Sequence, residues 1–212
     1  MAADARVPPA SEGRGVRAAD HGRIDAILDA AVACFDHFGI EATRMDDIAG
    51  EAGLQRPNLY RYFANRDAIV VEVILRDIRR LSLRLGAVLR FSGPARAVLL
   101  SALEVAIESL HESPFARHLR DRPEHIRTIV HLAASSDEVF ASAVHASWAA
   151  IFDYAESRGE LRRDIDPGAG IRWIIFVMFY CFLYPEALGG HDQVPTYLET
   201  FVVDAILERR PG

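Results

Sequence analysis

The sequence predicts an all-α protein, and three observations point to this class. Apolar residues recur every three to four positions along most of the 212-residue chain, and no segment shows the alternation typical of a strand. Gly, Pro, Ser and Asn divide the chain into pieces of helical length. Half of the residues are apolar, which is enough to fill a sizeable core.

The N-terminal third predicts a compact unit of three helices. A helical pattern covers residues 23–38 and stops at Gly39, a residue type common just beyond a helix C-terminus. Two short helical segments follow, at residues 45–52 and 56–63. Because such short helices need a shared core, we expect residues 23–66 to fold as one domain.

A larger helical domain is expected over residues 67–212. Asn65 is placed to cap a long amphipathic helix that ends near Pro94. Asp166 is placed in the same way before Pro167, which suits the first turn of a later helix. The predicted helices beyond the long one cover residues 94–111, 114–122, 124–134, 137–158, 167–184 and 195–209.

Composition limits the cellular setting. The longest apolar run, residues 173–184, is shorter than the roughly 20 residues of a membrane span. Residues 1–22 lack the apolar core of a secretory signal. Cys34 and Cys181 lie far apart within apolar helical patterns, which is typical of buried reduced thiols. We therefore expect a cytoplasmic protein with no membrane association.

The segment that follows Gly39 has the pattern of a helix-turn-helix. Ala49 is small enough for two helices to cross closely, and Gly53 suits a turn with left-handed backbone. The face from residue 54 to residue 66 carries three arginines and no acidic residue, although the whole chain has a net charge of -6. This local positive charge favours contact with the phosphates of a nucleic acid.

The candidate DNA-binding residues divide into two roles. We expect Arg56, Pro57 and Asn58, which open the second helix of the motif, to contact base edges in the major groove. We expect the remaining candidates to contact phosphates and fix the register. They are Thr43, Arg44, Tyr60, Arg61, Tyr62 and Arg66. The alternative interpretation is a solvated arginine-rich face with no partner.

Four segments together form a specific pattern: TRMDDIA at 43–49, AGL at 52–54, NLYRYF at 58–63 and NRD at 65–67. This pattern resembles the N-terminal region of the TetR family of transcriptional regulators. Two positions depart from the family pattern. Gln55 stands where a Ser or Thr cap is common, and Asp46 would repel a phosphate, so Asp46 is not among the candidates.

The resemblance implies a ligand-responsive repressor without enzymatic activity. Such a protein binds a palindromic operator in double-stranded DNA as a homodimer and is released by a small-molecule effector. Two alternatives remain open. One is a transcriptional activator or ligand-independent DNA binder, and the other is a helical small-molecule-binding protein or enzyme that does not bind DNA.

The predicted helix at residues 167–184 is apolar on every side, so it must be buried all round. It either lies at the centre of one subunit or pairs with a second copy. The resemblance implies the second arrangement, in which the last two long helices of each subunit form a four-helix dimer interface. A two-fold dimer places its two recognition helices about 34 to 36 Å apart.

An apolar effector site is expected in the larger domain. His145, Trp148 and Phe152 share one helical face by their spacing, and apolar residues of other helices are placed to complete a cavity. The predicted effector-binding residues are Leu103, Ile107, Phe115, His145, Trp148, Phe152 and Trp173. Ordinary core packing is the alternative explanation for each of them.

We expect neither a metal nor a cofactor. The histidines between residues 111 and 131 do not share one helix, because Pro114 and Pro123 interrupt the chain between them. The sequence contains no zinc-binding motif, P-loop, nucleophile elbow or dinucleotide fingerprint.

The N-terminal arginines admit two interpretations. Arg6, Arg14, Arg17 and Arg23 are placed either to form an arm that reaches the minor groove or to lie in a disordered solvated tail. The acidic residues between them favour the tail, which we assign to residues 1–22.

Overall fold

The computed structural model describes residues 18–135 and 137–208, and within these ranges the chain is built from helices joined by short turns. The α-helices are α1 (Ala18–Phe38), α2 (Met45–Glu51), α3 (Arg56–Leu59), α4 (Arg66–Val88), α5 (Ala95–Glu112), α6 (Pro114–Asp121), α7 (Ile126–Ser135), α8 (Asp137–Ser157), α9 (Pro167–Leu183), α10 (Val194–Leu198) and α11 (Asp204–Ile206). The all-α prediction is confirmed.

Two predicted helix caps are also confirmed. The Asn65 carboxamide oxygen accepts a hydrogen bond from the Ala68 N–H at 2.8 Å and begins α4. The Asp166 carboxylate accepts from the Ala169 N–H at 2.7 Å and begins α9. Each cap satisfies a backbone donor that has no partner inside its helix.

Three predicted helices differ from the structure, two of them in a bound and one in its interior. α1 begins at Ala18, inside the segment predicted to be a tail, while Arg6, Arg14 and Arg17 lie outside the described residues. α3 ends at Leu59 because the chain tightens there, with the Tyr62 N–H bonding the carbonyl only three residues back. The last predicted helix contains a π-helical segment, Glu199–Val203, between α10 and α11.

The buried side chains form two clusters, and α4 contributes to both. Ile69 and Val73, near its start, pack with the N-terminal helices. Leu85, near its end, packs with α5, α8 and α9. Helix α4 begins at Arg66, the last residue of the predicted N-terminal domain. Because its side chains pack in both clusters, this helix belongs to the cores on both sides of the predicted boundary.

Helix α6 belongs to the N-terminal cluster and also packs against α5 and α9 of the larger region. Phe115 and Leu119 are buried against the N-terminal helices, with the Phe115 and Phe35 ring centroids 6.2 Å apart. The N-terminal unit is therefore in direct contact with the larger helical region.

In the described part of the chain, no helix has both the length and the apolar character needed to cross a membrane.

Candidate DNA-binding surface and effector cavity

The turn between α2 and α3 has the geometry of a helix-turn-helix. Gly53 adopts a φ of +65°, a conformation that side-chain-bearing residues rarely adopt. The next residue, Leu54, donates its N–H to the Ala49 carbonyl at 2.8 Å, which closes the turn. Ile48 and Leu59 are fully buried beneath it. The buried side of this unit thus fixes which side of α3 faces solvent.

The solvent-facing side carries most of the predicted DNA-binding residues. Seven of them are exposed: Arg44, Arg56, Pro57, Asn58, Tyr60, Arg61 and Tyr62. They come from the start of α2, from α3 and from the turn that follows α3. The surface therefore combines cations and hydrogen-bonding groups with two partly exposed aromatic rings.

Arg56 is held by its neighbours on this surface. Its guanidinium forms an ion pair with Asp46 at 3.0 Å and lies 5.5 Å from the centre of the Tyr60 ring. The hydrogen bond to the Tyr60 hydroxyl, together with the Asp46 charge, raises the pKa of Arg56 above its ordinary value. Both partners of the ion pair are more than half exposed, so the pair is weak and can be exchanged for a phosphate or a base.

Arg44 is placed on the surface by the start of α2. The Asp47 carboxylate accepts a hydrogen bond from the Arg44 N–H at 2.8 Å, and the Arg44 side chain remains exposed. This bond is one half of a capping box, in which the side chain at the third helical position accepts a hydrogen bond from the backbone N–H of the residue before the helix.

Two predicted phosphate contacts need correction. The Thr43 side chain is only 3% exposed, and its hydroxyl donates to the Gly39 carbonyl at 2.7 Å, so it stabilises the loop before α2. Arg66 is partly buried and donates to the Glu41 carbonyl at 2.7 Å and to the Asp67 carboxylate. The hydrogen-bonding groups of both side chains are thus turned to the protein.

A cavity of about 230 Å³ lies in the larger helical region and opens to solvent on one side. Leu103 and Ile107, both predicted, line it from α5. Its other apolar walls come from α9 and from α10: Cys181, Phe182, Val194, Pro195 and Leu198. Burial raises the pKa of the Cys181 thiol to about 11, so the thiol stays neutral in this wall.

The other predicted effector residues do not line this cavity. Trp148 and Phe152 are packed in the C-terminal core, and Phe152 leaves no room for a side chain at Gly170, where a Cβ atom would lie 2.7 Å from its ring. Phe115 belongs to the N-terminal cluster. His145 and Trp173 are exposed. The aromatic residues predicted to line one cavity therefore occupy separate core and surface positions.

Several polar residues at the cavity were missed by the sequence analysis. Glu104, Glu108 and His111 lie on the same face of α5 as Leu103, one helical turn apart, and His191 faces them from the turn before α10. The His111 and His191 rings are 5.8 Å apart. The regular spacing on α5 was visible in the sequence, but nothing in the sequence placed α9 and His191 opposite it.

Helix α9 leaves one side uncovered in the single chain. Trp173, Phe176, Tyr180 and Tyr184 are 45%, 65%, 40% and 42% exposed. Phe201, in the π-helical segment nearby in sequence, is 55% exposed. Such a row of large exposed rings is unusual for a monomer and typical of an interaction surface.

Within residues 18–135 and 137–208, no group of three or more potential ligands is arranged to hold a metal ion.

Comparison with known proteins agrees with this geometry. The family model described as bacterial regulatory proteins, tetR family, matches residues 27–73, which include the whole helix-turn-helix. The HTH-type transcriptional regulator BetI of Agrobacterium fabrum is 29% identical over 144 residues, 66% of this chain and 55% of that protein. The repressor KstR2 of Rhodococcus jostii is 24% identical over 171 residues, 79% of each chain.

The fold extends beyond the matched N-terminal region. The solved structure of SmeT, the repressor of the multidrug efflux pump SmeDEF of Stenotrophomonas maltophilia, superposes with a TM-score of 0.62. The superposition covers 88% of this chain and 91% of SmeT at 19% identity. The family match and the two relatives agree on the DNA-binding region, and the shared architecture extends the likeness to the fold of the whole described chain. Residues 27–73 are a DNA-binding region of the TetR family of bacterial regulatory proteins.

Proposed function

We propose that the protein is a ligand-responsive transcriptional repressor, which binds a palindromic operator as a homodimer and leaves it when a small, largely apolar molecule binds. The observation that carries this proposal is the exposed surface of α3 on a buried helix-turn-helix scaffold. The match of residues 27–73 to the TetR family supports the same conclusion.

Direct contact with bases is assigned to the start of α3. Arg56 matches the two acceptors of guanine in the major groove, and Asn58 matches the donor and acceptor of adenine. Pro57 lies between them and offers an apolar surface to a thymine methyl group. Arg44, Arg61 and the two tyrosine hydroxyls flank this end and are assigned to phosphates, which set the register without choosing the sequence.

The exposed side of α9 is assigned to dimerisation. Burying its exposed aromatic rings against a second copy removes a large apolar surface from water. A two-fold axis at this surface uses the same residues from both subunits. Two α3 helices related by such an axis require a palindromic operator.

The cavity between α5, α9 and α10 is assigned to the effector. Its walls are mostly apolar, with two carboxylates and the His111 imidazole on α5 and the His191 imidazole facing them. Effector binding displaces α5 and α4, which pack against each other, and α4 carries the displacement to the N-terminal core that it shares. The effector lowers operator affinity only if it binds the displaced conformation more tightly than the operator-bound one.

Operator binding is tested by selecting bound genomic fragments with the purified protein and then measuring fluorescence anisotropy on the selected duplex. We expect a palindromic site and a salt-dependent affinity. Arg56→Ala should weaken binding about ten-fold or more, whereas Arg163→Ala, a matched change at an exposed arginine after α8, should not. Absence of binding to any duplex, even in dilute salt, would refute the proposal.

The effector assignment is tested with N-phenyl-1-naphthylamine, a small neutral dye that fluoresces in apolar sites. We expect saturable binding that weakens operator affinity. Ile107→Trp should fill the cavity and abolish dye binding, while Ser101→Trp, on the exposed side of the same helix, should leave it intact. Tight dye binding in the cavity with unchanged operator affinity would contradict the release mechanism.

A further inference from the structure

A row of four side chains connects the helix-turn-helix unit to α6 and the turn that follows it. Asp36, at the end of α1, lies 2.8 Å from Nδ1 of His118. Nε2 of His118 lies 2.9 Å from Nδ1 of His125. Nε2 of His125 lies 3.1 Å from the carboxylate of Glu41, in the loop before α2. We call these four residues the histidine bridge.

The two imidazoles are buried, while the carboxylates reach solvent. The side chains of His118 and His125 are 1% and 8% exposed, and their rings stack with centroids 5.0 Å apart. Gly39, with a φ of +83°, lets the His125 ring lie against the loop, since a Cβ atom there would be 3.3 Å from the ring. The two rings are therefore enclosed by the junction, while the carboxylates at the two ends of the bridge are open to solvent.

Counting protons shows that the bridge is incomplete when both rings are neutral. Two of the three contacts, Asp36–His118 and His118–His125, are hydrogen bonds, and each needs one hydrogen between its two heavy atoms. The third, between Nε2 of His125 and Glu41, is an ionic contact that is attractive only when this nitrogen carries a proton. Two carboxylates bring no hydrogen, and two neutral imidazoles bring one N–H each. One contact is then left with two lone pairs facing each other. A single additional proton completes all three contacts.

The surrounding charges indicate where that proton lies. Burial lowers the pKa of His118 below its ordinary value, with Asp36 opposing this shift and nearby Arg122 adding to it. For Glu41, burial acts to raise the pKa, but the Thr128 hydroxyl, His125 and Arg66 outweigh it and lower the pKa.

These shifts favour a neutral His118 and an ionised Glu41. The hydrogen bond to Asp36 and the bond between the rings already use the N–H on Nδ1 of each ring, so the additional proton goes to Nε2 of His125, at the contact with Glu41. The two rings share a contact, so they titrate as a pair.

We propose that the histidine bridge is a proton-dependent connection between the DNA-binding unit and the larger domain, closed when the pair of rings holds one proton beyond its two neutral N–H groups. As the pH rises and this proton leaves, the contact with Glu41 loses its hydrogen and the junction loosens. A pH-dependent change in operator affinity rests on the proposed function, whereas the number of protons that the two rings hold does not.

The first test follows the ring signals of the full-length protein by NMR during a pH titration. We expect the His118 and His125 signals to move together, over one transition between about pH 5 and 8. In the same range, amide exchange at residues 39–44, corrected for its intrinsic pH dependence, should become several-fold faster as the pH rises. Independent titration of the two rings, or exchange without this extra pH dependence, would overturn the proposal.

Glu41→Gln is the decisive variant, because its carboxamide can donate to an unprotonated ring nitrogen of His125. The bridge then needs no additional proton. We expect the transition of the pair to move to lower pH by at least half a unit and the exchange at residues 39–44 to lose its extra pH dependence. Glu124→Gln, an exposed change of the same charge next to His125, is the control and should behave as the unmodified protein.

The operator measurement then tests the regulatory part alone. Linkage of one proton changes affinity by up to ten-fold per pH unit. We expect a three- to ten-fold change per unit in the unmodified protein and less than two-fold in Glu41→Gln. Equal slopes in both would show that the bridge does not affect DNA binding. If no duplex binds at all, the proposed function fails while the ring titration still decides the proton count.

Discussion

The DNA-binding surface and the cavity are built in different ways. The exposed DNA-binding candidates all lie between residues 44 and 62, so helical register and one tight turn are enough to place them together. The cavity is built from α5, α9 and α10, and the lining residues of α5 lie 70 or more positions before those of the other two helices. Its shape depends on how separate helices pack rather than on any one of them. A change in one helix therefore has local effects in the first region and distributed effects in the second.

The largest effect is expected from Trp148→Ala, which tests whether this residue belongs to the core or to an effector site. Trp148 is fully buried, so its removal should lower the free energy of unfolding by about 3 to 5 kcal/mol. Chemical denaturation measures this change. Val88→Ala, at an exposed position of α4, should cost less than about 0.5 kcal/mol. A small loss for Trp148→Ala would mean that Trp148 lines a space able to hold a ligand.

Phe176→Arg tests the uncovered side of α9. Burying an unpaired guanidinium in place of a ring that is 65% exposed in the single chain should raise the dimer dissociation constant by at least about 100-fold. Sedimentation equilibrium measures the constant. Leu83→Arg, at a position of α4 that is 75% exposed, is the control. A stable dimer of the Phe176→Arg protein would place the interface elsewhere.

Two variants of the DNA-binding surface should separate its roles. Asn58→Ala should cost about 1 to 3 kcal/mol on the best operator and relax the choice of one base pair. Arg61→Ala should weaken all duplexes alike and reduce the salt dependence by about one unit of slope. Anisotropy on a set of single-base operator variants, at several salt concentrations, distinguishes the two patterns. Identical patterns for both variants would contradict the division of roles.

The smallest effect is expected from Asp46→Asn. The change frees Arg56 from an exposed ion pair and removes a negative charge near the phosphates, so affinity should rise about two- to five-fold at low salt. Glu51→Gln, at the exposed end of α2, provides the matched control. Weaker binding of the Asp46→Asn protein would instead show that Asp46 orients Arg56 for its target.

The sequence was sufficient where a single segment determines the geometry. The caps at Asn65 and Asp166 and the turn at Gly53 follow from local chemistry, and the structure has all three. Thr43 was misassigned because polarity alone does not reveal that its hydroxyl bonds a carbonyl inside a loop.

Long-range packing could not be predicted in the same way. Phe115 was assigned to the cavity, but α6 turns it towards α1. The histidine bridge was missed for a related reason. His118 and His125 do not share a helix, yet the turn at Pro123–His125 brings their rings together.

The two tryptophans of the chain report on different events. Trp148 is enclosed in the core, whereas Trp173 lies on the uncovered side of α9, stacked on Phe176. Emission from the enclosed indole is insensitive to assembly as long as the fold is intact, while emission from the other moves to shorter wavelength when water leaves the surface around it. The protein thus carries an internal reference and a native probe, and the proposed subunit association can be tested at low concentration without attaching a label.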